Sequence, residues 1–188
     1  MITKLITKKE LLLIFIFLFV IFFLTYSSII YSRMRERDLS RQRDLAAIQN
    51  ALNVFQSNYS FYPPSVGGKI QACPQSESDF RLGIEAVKSI ENPYEFFALN
   101  ASGCDFGKDY FLSDLADANT KILNPIPTDP LPNRSFYYLS NGESFAILSD
   151  METTTVEDYD GKPQELGIKC GAGVCDYAKG NMILDNLP

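Results

Sequence analysis

Four cysteines, at positions 73, 104, 170 and 175, are the residues of this chain best placed to make covalent bonds with one another. Their even number, all downstream of a long apolar run, points to two disulfides in an oxidising compartment. Three connectivities are open; the expected pairing is Cys73 with Cys104 and Cys170 with Cys175. Zinc is the competing use of four thiolates, but no Cys-x-x-Cys knuckle is present. Carboxylates are the second group. Asp150, Asp158 and Asp160 cluster within eleven positions, and an oxygen-rich loop of that kind suits calcium. Asp158-Tyr159-Asp160-Gly161 follows the tail of an EF-hand loop, but Val156 stands at its first ligand position and Gly167 at its last, so a solvated acidic turn is the better reading. Asp129 and Asp150 are conceivable carboxylates for a hydrolase, although their spacing does not place them on one cleft. The chain has no histidine. That excludes Ser-His and Cys-His nucleophiles and any His-ligated metal, and the expectation is a protein without catalytic residues, cofactor or metal.

The element that must carry these groups is Leu11 to Leu24, LLLIFIFLFVIFFL, fourteen apolar residues behind Lys8-Lys9-Glu10. With Thr25 to Ser32 the uncharged stretch reaches twenty-two residues, about 33 Å of helix and enough to cross a hydrocarbon core of about 30 Å. Five phenylalanines and no polar stripe make it apolar on every face, unlike a helix half in water. A cleaved signal peptide is the alternative, with Thr25-Tyr26-Ser27 as its one passable cleavage site. Glu10 lies at the edge of this run, where a carboxylate needs a partner or a place among headgroups beside Lys9.

Charge divides the chain. Residues 1 to 43 carry eight Lys/Arg against three Asp/Glu, and residues 44 to 188 nine against twenty. The acidic remainder argues against direct nucleic-acid binding, which draws on clustered Lys and Arg. Arg33, Arg35, Arg37, Arg41 and Arg43 follow the span and outnumber Lys4, Lys8 and Lys9 before it. The positive-inside rule would keep the arginines cytoplasmic, whereas the cysteines ask for the opposite orientation. The expectation adopted is a carboxyl-terminal domain outside the cytoplasm.

All eleven glycines and ten prolines lie from Pro63 onward, so one rod of about fifty residues is expected to run to Tyr59, on the order of 75 Å long. Leu45, Ile48, Leu52, Phe55 and Tyr59 recur at steps of 3, 4, 3 and 4 with Ala51 alongside, a stripe that a following domain is expected to cover. The predicted organisation is a tail (1–10), a span (11–32), an amphipathic continuation (33–62) and a globular part (63–188). Within the last, 65–78 reads as a polar loop, 79–90 as a short helix, 100–108 as a second loop and 110–123 as another helix. Strands are expected at 135–139 and 145–148 around Asn141-Gly142, and at 181–184.

Two blocks carry a family resemblance. Arg43-Asp44-Leu45-Ala46-Ala47-Ile48-Gln49-Asn50-Ala51-Leu52 running out of the span, then Tyr62-Pro63-Pro64-Ser65, is similar to the type IV pilins, and most of all to the pseudopilins of type II secretion. Leu112-Ser113-Asp114-Leu115, Ile126-Pro127-Thr128-Asp129-Pro130-Leu131, Tyr137-Tyr138 and Phe145-Ala146-Ile147-Leu148 follow in the family's order. The resemblance implies an α+β fold with a long helix packed on a small antiparallel sheet. It further implies polymerisation with homologous subunits through the helix, and work with an assembly platform and a cytoplasmic ATPase. The family's cleavage glycine is absent: with Glu10 at its customary fifth mature position, the cut would fall between Leu5 and Ile6.

Overall fold

The computed structural model describes residues 8–73, 93–112, 121–153 and 163–184. Helix α1 (Lys8–Tyr59) is continuous for 52 residues, as a stretch without Gly or Pro permits. It ends on Ser60, whose φ of 66° is left-handed and whose N–H donates to the Gln56 carbonyl at 2.7 Å. This closes the last turn, and Pro63 and Pro64 prevent its resumption. Residues 8 to 33 are exposed throughout. Burial begins at Asp38 and continues through Arg41, Leu45, Ile48, Ala51, Leu52 and Phe55. The molecule is therefore a bare apolar rod whose far half is covered by an α+β cap.

The cap is organised on Phe55. Its ring meets Tyr59 at 4.6 Å, Phe97 at 5.6 Å, and Phe61 and Phe111 at 5.7 Å between centroids, mostly in the tilted and edge-on arrangements that aromatic quadrupoles favour. Phe97 comes from a short helix, α2 (Pro93–Asn100). The sheets are all antiparallel. Strands β1 (Ser65–Val66), β2 (Lys69–Cys73) and β3 (Ser102–Gly103) form one; β4 (Phe111–Leu112) and β5 (Lys121–Leu123) a second. The third contains β6 (Tyr137–Ser140), β7 (Phe145–Ser149) and β10 (Tyr177–Gly180) in the order β10-β7-β6, and β8 (Lys169–Cys170) pairs with β9 (Gly173–Val174).

Strand β7 is buried at all five positions because the third sheet is covered on both faces. Phe145 and Ile147 join the core over α1. Ala146 and Leu148 join a second, smaller core with Cys170, Cys175, Ala178, Met182 and Leu184. Continuous aliphatic character rather than alternation is what such a strand requires. Tyr138 is fully buried beside it. Its hydroxyl donates to the Pro63 carbonyl at 2.9 Å, and burial pushes its ionisation far above the usual phenol range.

Four local expectations need correction. Residues 65–73 are not a polar loop but a hairpin over Gly67-Gly68, with φ of 54° and 79°, the paired left-handed values of a tight hairpin turn. A Cβ at Gly68 would stand 2.5 Å from Tyr137, so glycine here also serves packing. Residues 110–123 are not one helix: β4 pairs antiparallel with β5, Phe111 opposite Leu123, and 113–120 lie outside the described residues. The stretch 100–108 is not wholly loop, because β3 adds to the edge of β2. The last strand lies at 177–180 instead of 181–184; the N–H groups of Asn181 and Met182 both donate to the Phe145 carbonyl at 3.0 Å, turning the chain out of the ladder. The helix expected at 79–90 lies outside the described residues.

Since Phe55 touches four aromatic neighbours, Phe55→Ala is expected to cost the cap about 3–5 kcal/mol, read by urea unfolding of the detergent-solubilised chain followed by near-ultraviolet circular dichroism. Helical signal from the rod should survive that transition.

Candidate functional site

The candidate site is the region where the bare rod enters the cap. On the rod side, Leu11 to Leu24 stay 42–69% exposed, and the best eighteen-residue window has a mean hydropathy of 2.7 with none of it buried. Two hydroxyls of the span are satisfied within the helix. The Thr25 hydroxyl donates to the Ile21 and Phe22 carbonyls, and that of Ser27 to Phe23, each at 2.9 Å. That arrangement suits hydrocarbon, where an unmet hydroxyl is costly. This helix is long and apolar enough to span a membrane. Glu10 lies in its first turn, on an exposed position beside Lys8 and Lys9.

On the cap side, sequence reasoning places an apolar stripe at Leu45, Ile48, Leu52, Phe55 and Tyr59. The first four are fully buried, and Tyr59 packs at the edge of the same core. The alternation of 3 and 4 does not stop at Leu45. Two further steps back give Arg41 and then Asp38, and both are buried. A guanidinium with no exposed surface needs carboxylates on all sides. Asp129 accepts a forked pair, 2.7 Å from Nε and 2.9 Å from the second terminal nitrogen. Asp38, one turn earlier on α1, accepts from Nη1 at 2.6 Å, and Glu152 from the same nitrogen at 3.0 Å. Glu152 is in turn held by Arg37 in a second fork, 2.7 and 2.6 Å.

Backbone groups complete the network. Asp38 accepts from the Glu152 and Thr153 N–H groups and from the Thr153 hydroxyl at 2.6 Å; Asp129 also accepts from the Leu131 N–H. Two loops of the cap are thereby clamped to one helical turn. Burial alone would lower the pKa of Arg41, but the hydrogen bonds and charges of Asp129, Glu152 and Asp38 more than reverse this and raise it, so the cation is retained. The Arg37 fork, helped by Arg41 and opposed by burial, holds Glu152 down to about 2.

Asp129 and Asp150 are each bound to an arginine of their own. Arg134 approaches Asp150 at 3.1 Å and also donates to its backbone carbonyl at 2.7 Å. The Asp150 carboxylate lies so close to Gly173 that any side chain there would overlap it. Burial raises its pKa, partly offset by Arg134. Asp158 and Asp160 lie outside the described residues, and among the described residues no group of three or more carboxylates and thiols is arranged to hold a metal. Cys73 is bonded to Cys104 and Cys170 to Cys175, both with Cα atoms 5.1 Å apart. The first staples β2 to the segment after β3; the second closes the loop between β8 and β9 and forms part of the second core. Arg37, Arg41, Asp38 and Glu152 are the site residues that sequence reasoning misses. The helical repeat, carried two steps further, is the signal that finds two of them.

Removing Arg41 would leave three carboxylates facing one another in the interior, so Arg41→Ala is expected to destabilise the cap by about 3–5 kcal/mol, read by denaturant unfolding of the full chain in detergent. Acid should act on the same join. Because the Glu152 carboxyl is depressed in the folded state, its contribution is complete above its ordinary value of 4.5 and is lost as pH falls from there through about 2. The loss amounts to at most about 3 kcal/mol. Asp44, Asp150 and Asp176 are raised by burial and work in the opposite sense, so the contribution of Glu152 is read as the difference between native and Glu152→Gln unfolding curves across that range. No protein-family model, curated protein or solved structure matches this chain.

Proposed function

We propose that this chain is a non-enzymatic, single-pass subunit of a type IV pilus or type II secretion pseudopilus, anchored in the cytoplasmic membrane and polymerising through the exposed half of α1. The observation that carries this reading is the contrast within one unbroken helix. Residues 8 to 33 are exposed and wholly apolar from Leu11 to Leu24, while the buried stripe from Leu45 onward is sealed under a cap of antiparallel sheets. Water does not tolerate the first half. A bilayer does, and so does a bundle of identical helices in which each rod covers the next.

Two disulfides in the cap support its placement outside the cytoplasm. The burial of Arg41 and the pairing of Arg37 support it too, since two of the five arginines behind the span are engaged by the folded cap. In this reading the partners are the lipid bilayer, homologous subunits, and the platform and ATPase that drive them; the acidic cap does not bind nucleic acid. A second reading, a non-assembling anchored binding or scaffold protein with a pilin-like fold, is favoured by Leu5 standing where a cleavage glycine is customary.

The two readings separate at the amino terminus and in the membrane. Chain extracted from membranes of the native host is expected to begin at Ile6 or nearby, and a photocrosslinking residue at Phe19 to give a ladder of multimers that Leu18→Asp abolishes. An intact Met1 with monomer alone would establish the anchor instead.

A further inference from the structure

The five arginines behind the span divide into two populations. Arg37 and Arg41 are committed to carboxylates of the cap. Arg33 and Arg35 are exposed and form no ion pair among the described residues, and Glu36, exposed beside them, bridges to neither. Their height on the rod is set by helix geometry. If the uncharged stretch ends at Ser32, Arg33 and Arg35 lie about 1.5 and 4.5 Å beyond it, and Asp38, the first fully covered position, about 9 Å beyond it. Each headgroup layer of a bilayer is roughly 5–7 Å thick. The two guanidiniums, without an ion pair among the described residues, thus stand within that layer, and the cap begins just above it.

Two residues apart on a helix means about 200° around the axis. Arg33 lies about 40° from Arg37 and Arg35 about 60° from Asp38, on either flank of the covered face, so together they form a collar around the rod. Tyr26 and Tyr31, 56% and 54% exposed at the end of the span, sit at the level where amphipathic rings anchor to an interface. Electrostatics makes the collar consequential. The chain beyond Arg43 carries twenty acidic residues against nine basic ones, and its base would rest within a screening length, about 8 Å, of the lipid surface. An anionic leaflet would repel such a cap unless cations stood between them.

We infer that Arg33 and Arg35 bind the phosphates of anionic phospholipids in the leaflet beneath the cap, selecting those lipids around the rod and fixing the height of the cap above them. Guanidinium suits the role because its donors fork onto phosphate oxygens and stay charged at any relevant pH. The inference rests on the membrane-anchored reading but not on assembly into a filament.

The test uses the full chain inserted into preformed phosphatidylcholine vesicles with the cap outward, and spin-labelled lipid added to the outer leaflet. The fraction of motionally restricted label is compared for phosphatidylglycerol and phosphatidylcholine. A surface arginine contributes up to about fivefold in local anionic-lipid preference. A several-fold preference for phosphatidylglycerol is therefore expected, weakening with added salt, reduced to near parity in Arg33→Gln/Arg35→Gln and unchanged in Arg43→Gln, whose position is exposed about 12 Å further along the helix. Retention of both disulfides and of a protease-resistant cap shows that the variants are folded. Equal restriction of the two lipids by the native chain, or an equal loss in Arg43→Gln, would overturn the collar. Failure of the native chain to float with vesicles of either composition would overturn the membrane reading with it.

Discussion

Arg41 is the residue on which the join between rod and cap depends. A guanidinium without exposed surface is stable only if every direction in which it donates ends on an acceptor. The acceptors come from three places in the chain: Asp38 from the same helix, Asp129 from the segment after β5, and Glu152 from the segment after β7. Meeting that requirement brings together groups 88 and 111 positions apart. Apolar packing above it, around Leu45, Leu52 and Phe55, supplies attraction without direction. The ion cluster supplies direction: a cap displaced by one turn along α1 would keep a greasy contact but separate Arg41 from its carboxylates. We regard it as the device that sets the register of cap on helix, a use for which buried polar pairs are well attested.

That register has a consequence for the two halves of α1. Covering begins at Asp38 rather than at the first apolar position of the stripe, so the ionic turn faces the bare half of the rod and the aromatic core lies behind it. In the bare half the Thr25 and Ser27 hydroxyls are bonded to carbonyls of their own helix, which lowers the cost of surrounding them with apolar groups. One continuous helix therefore presents two surfaces, bare up to Arg33 and covered from Asp38 onward.

The cap is small, and its distribution of cores reflects this. The third sheet is sandwiched between the helix stripe and a second core that contains the Cys170–Cys175 bond. Without that outer layer, Ala146 and Leu148 would face water. Gly173 admits the Asp150 carboxylate and Gly171 lies against the backbone of Asn133 and Arg134, so the disulfide loop also presses on the Arg134–Asp150 pair at the base. Covalent, ionic and apolar contacts converge on the same short C-terminal segment.

Much of this was legible in residue order. A run of apolar side chains at every position has one low-energy conformation and one kind of surroundings, and a stretch of sixty-two residues without Gly or Pro has nothing to interrupt a helix; local rules suffice for both. The stripe was legible for the same reason, because helical periodicity is a property of neighbours. The short strands were not. Ser65–Val66, Phe111–Leu112 and Lys121–Leu123 are too brief for a pattern to form, and each is extended only because a partner elsewhere satisfies its backbone. Arg41 marks the limit most clearly. Read alone it is one of five arginines behind a membrane span, a charge to be counted; only folding brings Asp129 and Glu152 to it, and a charge is buried or solvated according to neighbours that order along the chain does not specify.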